Sequence, residues 1–251
     1  MRIICSLIIF FATGLPIAAQ KADSVNTPVS IYLTFDDGPM PASQYLVEAI
    51  RRDSMPVTVF LVGRQVTKNT TNRSTYSWYR ANPLVEIANH SFTHANGKYK
   101  QYYQQPDRVV DDILLNKDTL NISNNIVRLP GRNVWRIDNQ RRGDLADAAI
   151  AADSLAAKGF DIFGWDLEWC YDSSGKTNNT ASRMLEQVCF LAKYGASFVR
   201  NHIVILCHDP MLLHEQTRKE FALFIKRIKS DRQFTFKLIS EYPVKKFFVL
   251  H

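Results

Sequence analysis

Short apolar runs of strand character alternate with stretches of helical periodicity, and this alternation limits the possible folds more than any other feature. β-branched and alternating patterns, bounded by Gly, Pro or polar residues, predict seven strands. They are expected at 30–35, 56–62, 84–88, 126–129, 160–165, 203–206 and 234–239. Strands that alternate with helices pair in parallel through right-handed crossovers, so the sequence predicts an α/β fold built on a parallel sheet.

Apolar residues at intervals of three and four predict five helices between these strands. They are expected at 42–52, 105–120, 146–158, 180–194 and 215–230. The periodicity does not separate a closed or nearly closed barrel from an open sheet.

The first 19 residues have the layout of a secretory signal peptide. Arg2 precedes an apolar run at 3–11, and small residues follow up to Ala19. We therefore predict cleavage after Ala19, a short polar leader at 20–29 and a single domain at 30–251, in a protein exported to the periplasm or secreted. An uncleaved anchor is the alternative, although the apolar run is short for a bilayer span.

The 251-residue chain has a formal net charge of +7, and its positive residues are scattered. A nucleic-acid-binding protein usually concentrates them on one element, which argues against nucleic acid as a partner. We expect a monomer with no membrane span after cleavage.

Three cysteines remain after cleavage: Cys170, Cys189 and Cys207. Their odd number excludes a complete disulfide framework. It leaves open either one bridge, such as Cys170–Cys189, or free thiols.

The polar residues that stand out follow the predicted strands, where the active site of a parallel α/β fold is built. In chain order they are Asp36 and Asp37, His90 and His94, Arg128, Glu168, and His208 with Asp209. Five separate segments are therefore expected to meet at one edge of the sheet.

Two of these segments have the composition of a metal site. His90 and His94 are four residues apart, so on a helical turn they would share one face and reach one ion. The adjacent carboxylates of Asp36 and Asp37 repel each other unless a cation or an arginine separates their roles. The simpler alternatives are two exposed loop histidines and an Asx turn or helix cap before Pro39.

Taken together, these segments resemble the polysaccharide deacetylase family, also called the NodB-homology family or carbohydrate esterase family 4. TFDDGP at 34–39 matches the family's first motif completely, and HSFTH at 90–94 matches its second. RLPG at 128–131 resembles the third motif, and LCHD at 206–209 matches the fifth. The resemblance spans about residues 30–245.

Two segments depart from the family pattern. WDLEW at 165–169 replaces the D-x-x-D-W of the fourth motif, and Gly131 stands where an aromatic residue often follows the proline of the third. These departures concern substrate fit and the partner of the acid rather than the metal site.

The resemblance implies a (β/α) barrel, distorted and seven-stranded, with one divalent metal ion held by Asp37, His90 and His94. Zinc is the expected ion, with cobalt, nickel, manganese and iron as alternatives. Three protein ligands leave positions open for water and substrate, as catalytic zinc requires.

The resemblance also implies the catalytic residues. Asp36 is expected to be the general base, and Arg128 to keep it ionised and oriented. His208 is expected to be the general acid that protonates the departing amine. Glu168 or Asp166 is expected to hydrogen-bond His208.

Substrate contacts are expected around these groups. The backbone N–H of Gly131 is the expected oxyanion donor, and Leu206 of the fifth motif is expected near the substrate. Trp169 is expected to stack on a sugar ring and Trp165 to pack in the core. Aromatic-rich stretches at 76–79 and 99–103 flank the second motif and either build a wall of the groove or cover the barrel.

The implied function is removal of N-acetyl groups from an amino-sugar polymer or oligomer, peptidoglycan or chitin-like, in the cell envelope. One alternative is an O-acetyl esterase acting on acetylated hemicellulose. Another is a non-haem iron oxygenase, which also uses two histidines and a carboxylate. The third is a catalytically dead glycan-binding domain, against which Asp36 and His208 argue because binding alone needs neither a base nor an acid.

Overall fold

Ten strands form one sheet in the computed structural model, which describes residues 28–244. In chain order they are β1 Val29–Asp36, β2 Val57–Leu61, β3 Val85–Asn89, β4 Ile126–Val127, β5 Val134–Ile137, β6 Gln140–Gly143, β7 Asp161–Ile162, β8 Leu167–Glu168, β9 His202–His208 and β10 Phe234–Lys237. The signal peptide predicted at 1–19, and all of the predicted leader except its last two residues, lie outside the described residues.

The strands lie in the order β6-β5-β7-β4-β3-β2-β1-β9-β8, and β10 pairs with the first half of β1. Eight strands run parallel, and within residues 28–244 antiparallel ladders are confined to the β5–β6 hairpin and its junction with β7. The described sheet is curled, and the two ends of this order, β6 and β8, do not pair, so it is a half-barrel rather than a closed barrel. The predicted α/β class and distorted barrel are confirmed.

Eight α-helices cover this sheet in the described part of the chain. They are α1 Ser43–Asp53, α2 Gly63–Thr67, α3 Thr70–Ala81, α4 Tyr99–Tyr103, α5 Pro106–Thr119, α6 Ala149–Ala157, α7 Ala181–Tyr194 and α8 Glu215–Ser230. The five predicted helices correspond to α1, α5, α6, α7 and α8. Within residues 28–244, no helix has the length and apolar character needed to cross a bilayer.

Strand alternation in β1 separates the helix-facing core from the concave face of the sheet. Ile31, Leu33 and Phe35 are buried in the main core, where the ring of Phe35 lies edge-on to that of Phe221 in α8, with centroids 5.7 Å apart. The intervening residue Tyr32 belongs to the concave-side cluster. The same alternation places Asp36 on the concave face at the strand end.

Two thiols in the described chain are free. Cys189 is exposed on α7 and Cys207 is buried in β9, so the alternative of a Cys170–Cys189 bridge is not realised. Burial raises the pKa of the Cys207 thiol well above its usual range, which makes it unreactive.

Candidate metal centre

The two carboxylates at the end of β1 point to different surroundings. Asp36 is the last residue of the strand and is 2% exposed. Asp37 has a φ of 76°, in the left-handed region that non-glycine residues rarely adopt, although Asp tolerates it better than most. This change of backbone direction separates the side chains, so that adjacent carboxylates take different roles.

Asp37, His90 and His94 converge on one point. Oδ1 of Asp37 lies 3.0 Å from Nε2 of His94 and 3.5 Å from Nε2 of His90. One ligand atom from each residue lies within 4.8 Å of the others. Among residues 28–244, Oδ1 of Asp37 has no hydrogen-bond partner although it is buried. A buried carboxylate oxygen without a partner is costly unless a cation satisfies it, so the three residues fit a divalent metal ion.

The ring of His90 is held in the tautomer that a metal ligand needs. Its Nδ1 lies 2.8 Å from the carbonyl oxygen of Arg128. A carbonyl only accepts hydrogen bonds, so Nδ1 carries the proton and Nε2 keeps its lone pair for the cluster. Burial alone would raise the pKa of Asp37, but its contacts with His90 and His94 hold that pKa well below its usual range, and the carboxylate stays ionised.

The second motif does not form the predicted helical turn. Ser91 and His94 have φ of 65° and 52°, so the chain from β3 to His94 is a loop with two left-handed residues. The carboxylate of Asp112 on α5 accepts from Thr93 Oγ1 at 2.9 Å and from the hydroxyl of Tyr102 at 2.9 Å. These bonds fix the loop, and they bring the two imidazoles together where helical spacing does not.

Asp36 is paired with the buried guanidinium of Arg128. Nη1 of Arg128 donates to Oδ1 of Asp36 at 2.9 Å and to Oγ1 of Thr34 at 2.7 Å. Arg128 is 0% exposed, and its other donors reach the carbonyls of Phe163 and Gly164 at 3.1 and 2.8 Å. Burial lowers the pKa of Arg128 and Asp36 opposes the shift, but a guanidinium titrates so high that it stays charged.

His208 stands beside Asp36 on the neighbouring strand, since the two are paired in the parallel register of β1 and β9. Its Nδ1 is buried and has no hydrogen-bond partner among the described residues. Glu168, at the end of β8, is partly buried, and burial raises the pKa of its carboxyl while His208 opposes the rise. Glu168 and His208 are therefore close enough to interact electrostatically, without a hydrogen bond between them in this structure.

Asp166 does not take part in this site, and the prediction that it hydrogen-bonds His208 was wrong. Its carboxylate accepts from the backbone N–H groups of Phe198 at 2.7 Å and Val204 at 3.0 Å, and from Arg142 at 3.2 Å. These bonds anchor the segment that leads into β8, so the carboxylate is already saturated by structural donors.

The prediction that Trp169 stacks on a sugar ring was also wrong. Trp169 is 0% exposed and packs edge-on against Phe221 and Phe224, with centroids 5.7 and 5.3 Å apart. Glu168 faces the concave side, and successive residues alternate, so Trp169 must face the helical core. Trp165 was expected in the core but is only partly buried, with its ring centroid 5.9 Å from the guanidinium carbon of Arg128.

Leu206 and Gly131 are the two remaining residues that were predicted to contact the substrate. Leu206 is 1% exposed and shares the concave face of β9 with His208 two residues later. Gly131 has a φ of 62°, which suits glycine. Within the described chain, no acceptor pairs with the N–H of Gly131.

Two aromatic side chains also border the site: Tyr99, from one of the stretches expected to build a groove wall or cover the barrel, and Tyr171, which was missed. Tyr99, at the start of α4, lies with its ring 5.7 Å from that of His94, and Tyr171 lies 5.6 Å from the ring of His208. Tyr99 belongs to one of the aromatic-rich stretches in the sequence, whereas no sequence motif marks Tyr171.

The fold and the cluster together define a class: a curled α/β half-barrel with a candidate Asp-His-His metal centre at the carboxyl ends of its parallel strands. The family model "Polysaccharide deacetylase" matches residues 23–136, which contain the first three motifs. The resemblance predicted from the motifs is thus confirmed over residues 23–136.

Solved structures share the fold. A Streptococcus mutans CE4 esterase has a TM-score of 0.63 at 20% identity, covering 85% of this chain and 87% of its own. A family 4 carbohydrate esterase from Streptomyces lividans in complex with acetate has a TM-score of 0.55 at 22% identity, covering 84% and 93%. The peptidoglycan deacetylase PdaC from Bacillus subtilis has a TM-score of 0.56 at 19% identity, covering 86% and 90%. No curated protein sequence matches the chain.

Proposed function

We propose that this protein is a metal-dependent hydrolase that removes N-acetyl groups from an amino-sugar polymer or oligomer, such as peptidoglycan or a chitin-like glycan. The observation that carries the proposal is the buried Oδ1 of Asp37, which has no hydrogen-bond partner among the described residues and lies 3.5 and 3.0 Å from two imidazole nitrogens, beside a second carboxylate held by an arginine. The family match supports the reaction class, and the peptidoglycan deacetylase among the structural relatives supports the substrate class.

Asp37, His90 and His94 would hold the metal ion. Two imidazole nitrogens and one carboxylate oxygen suit zinc and leave coordination positions open, and cobalt, nickel, manganese and iron accept the same donors. When bound, such an ion lowers the pKa of a coordinated water from 15.7 to about 7 and polarises the acetyl carbonyl.

Asp36 is the general base in this proposal. Arg128 holds its Oδ1, while its Oδ2 lies 3.6 Å from Nε2 of His90 and so borders the same space as the metal ligands. The hydrogen bond from Arg128 holds Oδ1 and leaves Oδ2 to accept a proton from the attacking water.

His208 is the general acid, and Gly131 supplies the oxyanion donor. The pairing of β1 with β9 places His208 next to Asp36, so proton acceptor and proton donor stand on adjacent strand ends. Among residues 28–244 the N–H of Gly131 has no acceptor, so it is available to the oxygen on which negative charge develops.

Asp36 and His208 account for the two proton transfers of the proposed reaction. The water oxygen bonds to the acetyl carbon, Asp36 takes a proton from that water, and the C–N bond breaks as His208 donates a proton to the departing amine. The products are acetate and a free amino sugar.

We further propose that the protein acts in the cell envelope after export, on the strength of the signal-peptide pattern at 1–19.

The test is acetate release from N-acetylated chitooligosaccharides and peptidoglycan fragments, followed by mass loss, with zinc added to purified residues 20–251. Asp36→Asn should abolish release while zinc affinity is retained. Asp118→Asn, at an exposed position near the end of α5, is the matched control and should be fully active. Release of O-acetyl groups alone would favour the esterase alternative. Failure to release acetate from any acetylated glycan with any of the five metals would overturn the proposal.

A further inference from the structure

Asp209 is a buried carboxyl group that the proposed reaction does not use. It directly follows His208 at the end of β9 and begins the short 3-10 helix Asp209–Leu213. The residue is 2% exposed. Burying a carboxyl group is costly unless polar partners satisfy it, so the partners of Asp209 indicate what the residue does.

Ser43, the first residue of α1, is a hydrogen-bond partner of this carboxyl group. The hydroxyl of Ser43 donates to Oδ2 of Asp209, and Ser43 is 0% exposed. The same hydroxyl accepts from the N–H of Met40 at 2.8 Å, and the N–H of Ser43 donates to the carbonyl of Met40 at 2.9 Å. Asp209 is therefore tied, through one hydroxyl, to the turn that follows Asp37.

Gly38 makes a second contact between Asp209 and this turn. A Cβ atom built on Gly38 would lie 2.6 Å from Oδ2 of Asp209 and 3.2 Å from its Cγ. The carboxyl group thus lies against the main chain at a distance that a side chain at position 38 would prevent. On the other side of the turn, the carbonyl of Gly38 accepts from the N–H of Val62 at 3.0 Å. The residue after Asp37 is therefore held from β2 and from the end of β9.

The turn begins at a residue whose placement is demanding. Asp37 has a φ of 76°, and a non-glycine residue stays in this region only when its surroundings hold it there. Its Oδ1 must also reach the same ion as Nε2 of His90 and Nε2 of His94. Contacts that orient metal ligands typically contribute about 10- to 100-fold to metal affinity. The contacts of Asp209 act on the residues directly after Asp37 and are placed to make such a contribution.

The hydrogen bond between Ser43 and Asp209 does not depend on the charge of the carboxyl group. Burial raises the pKa of Asp209, Ser43 opposes the rise, and Asp37 and Asp36 add to it. Both the neutral and the ionised carboxyl group keep an oxygen that accepts from a hydroxyl. The contact is therefore available in either protonation state.

We propose that Asp209 is a positioning residue for the metal centre, which acts through Ser43 and Gly38 to hold the turn that begins at Asp37. This inference rests on the proposed function, in which Asp37 is a metal ligand. Because Asp209 follows His208 directly, the end of β9 supplies the proposed acid and also supports the metal site.

The experiment measures zinc affinity by calorimetry on the purified protein. Ser43→Ala removes the donor and Asp209→Ala removes the acceptor, and each should weaken zinc binding by about 10- to 100-fold. Asp209→Asn keeps an acceptor oxygen and should stay close to wild type. The double variant Ser43→Ala/Asp209→Ala should bind zinc no more weakly than the weaker single variant, because both changes break one contact.

Tyr79→Phe is the matched control. Tyr79 is 1% exposed, and among residues 28–244 its hydroxyl has no hydrogen-bond partner. Burial raises the pKa of this phenol and Asp209 adds to the rise, so the hydroxyl lies near the same carboxyl group. The control therefore loses a buried hydroxyl beside Asp209 without breaking the contact with Ser43, and its zinc affinity should be unchanged.

Urea unfolding of the metal-free variants separates positioning from a merely structural role. A structural role would lower the urea midpoint and leave the zinc affinity of the folded protein as it was. Positioning lowers the affinity, and acetate release by Ser43→Ala should recover towards the wild-type rate at saturating zinc. If Asp209→Ala does not fold, Ser43→Ala decides the question, since it removes a single oxygen.

The outcomes separate this inference from the proposed function. If the wild-type protein binds zinc and releases acetate but Ser43→Ala keeps its zinc affinity, the role of Asp209 is wrong and the proposed function stands. Asp209→Asn binding as weakly as Asp209→Ala, or Tyr79→Phe binding as weakly as Ser43→Ala, would also overturn the assignment. If the wild-type protein neither binds zinc nor releases acetate, the proposed function fails, and the role of Asp209 fails with it.

Discussion

Replacing Arg128 with methionine should lower the free energy of unfolding by about 3–5 kcal/mol, the usual cost of leaving one partner of a buried ion pair unpaired. Arg128 is 0% exposed and bonds to Asp36 and Thr34 at 2.9 and 2.7 Å. The carbonyls of Phe163 and Gly164 also lose their side-chain donor, and a buried acceptor left unsatisfied costs about 1–3 kcal/mol. Even the lower estimate is a large part of the roughly 5–15 kcal/mol typical of a native protein.

Urea unfolding followed by circular dichroism measures this loss, and a double-mutant cycle with Asp36→Asn identifies its source. The neutral amide removes the unpaired charge, so the double variant should be more stable than additivity predicts, by about 0.5–3 kcal/mol. Arg52→Met is the control, because the exposed Arg52–Asp53 pair is worth at most about 1 kcal/mol. A loss below about 1 kcal/mol in Arg128→Met, or strict additivity in the cycle, would refute the reasoning.

Three further predictions concern the metal, the acid and pH. His94→Ala should weaken zinc binding, measured by calorimetry, by more than the roughly 10- to 100-fold typical of losing an outer-shell partner; unchanged affinity would remove His94 from the ligand set. His208→Ala should lower kcat by about 10²- to 10⁴-fold without changing zinc affinity, and an unaltered kcat would exclude it as the acid. Burial raises the pKa of Asp209 to about 7, so its neutral form is favoured in the folded state. In the metal-free protein, stability should therefore fall as pH rises from about 4 to about 7, by up to about 4 kcal/mol. Asp209→Asn should flatten that slope in urea titrations at several pH values, and an unchanged slope would contradict the assignment.

Local pattern accounts for most of the fold. β9 is a continuous apolar run, and α8 has apolar residues at helical spacing, so both are recognised without their neighbours. β6 is different, because its four residues, three polar ones and a glycine, are exposed and it forms only by pairing with β5. Pairing between two segments leaves no periodic pattern in either one, which is why the hairpin was not predicted.

The errors at the site have the same cause, because they concern contacts between segments that no local sequence pattern records. Asp37 and His90 follow strands and belong to specific motifs, so the sequence alone predicts that they meet at one edge of the sheet. The two-residue strand β8 gives no register, and a shift by one residue reverses the faces, so Trp169 was placed on the concave side where Glu168 lies. Tyr99 reaches the site through tertiary contacts made from a helix, and no spacing in the chain encodes these contacts.

The position of β1 has a consequence for how the protein loses activity. The strand pairs with β2, β9 and β10, and all eight of its residues are buried. Amide protons in such a strand exchange for deuterium only when the whole molecule opens, whereas an edge hairpin opens locally. The two carboxylates at the end of β1 are thereby anchored to the slowest-exchanging segment, and fraying of β5–β6 during mild heating should leave them in place.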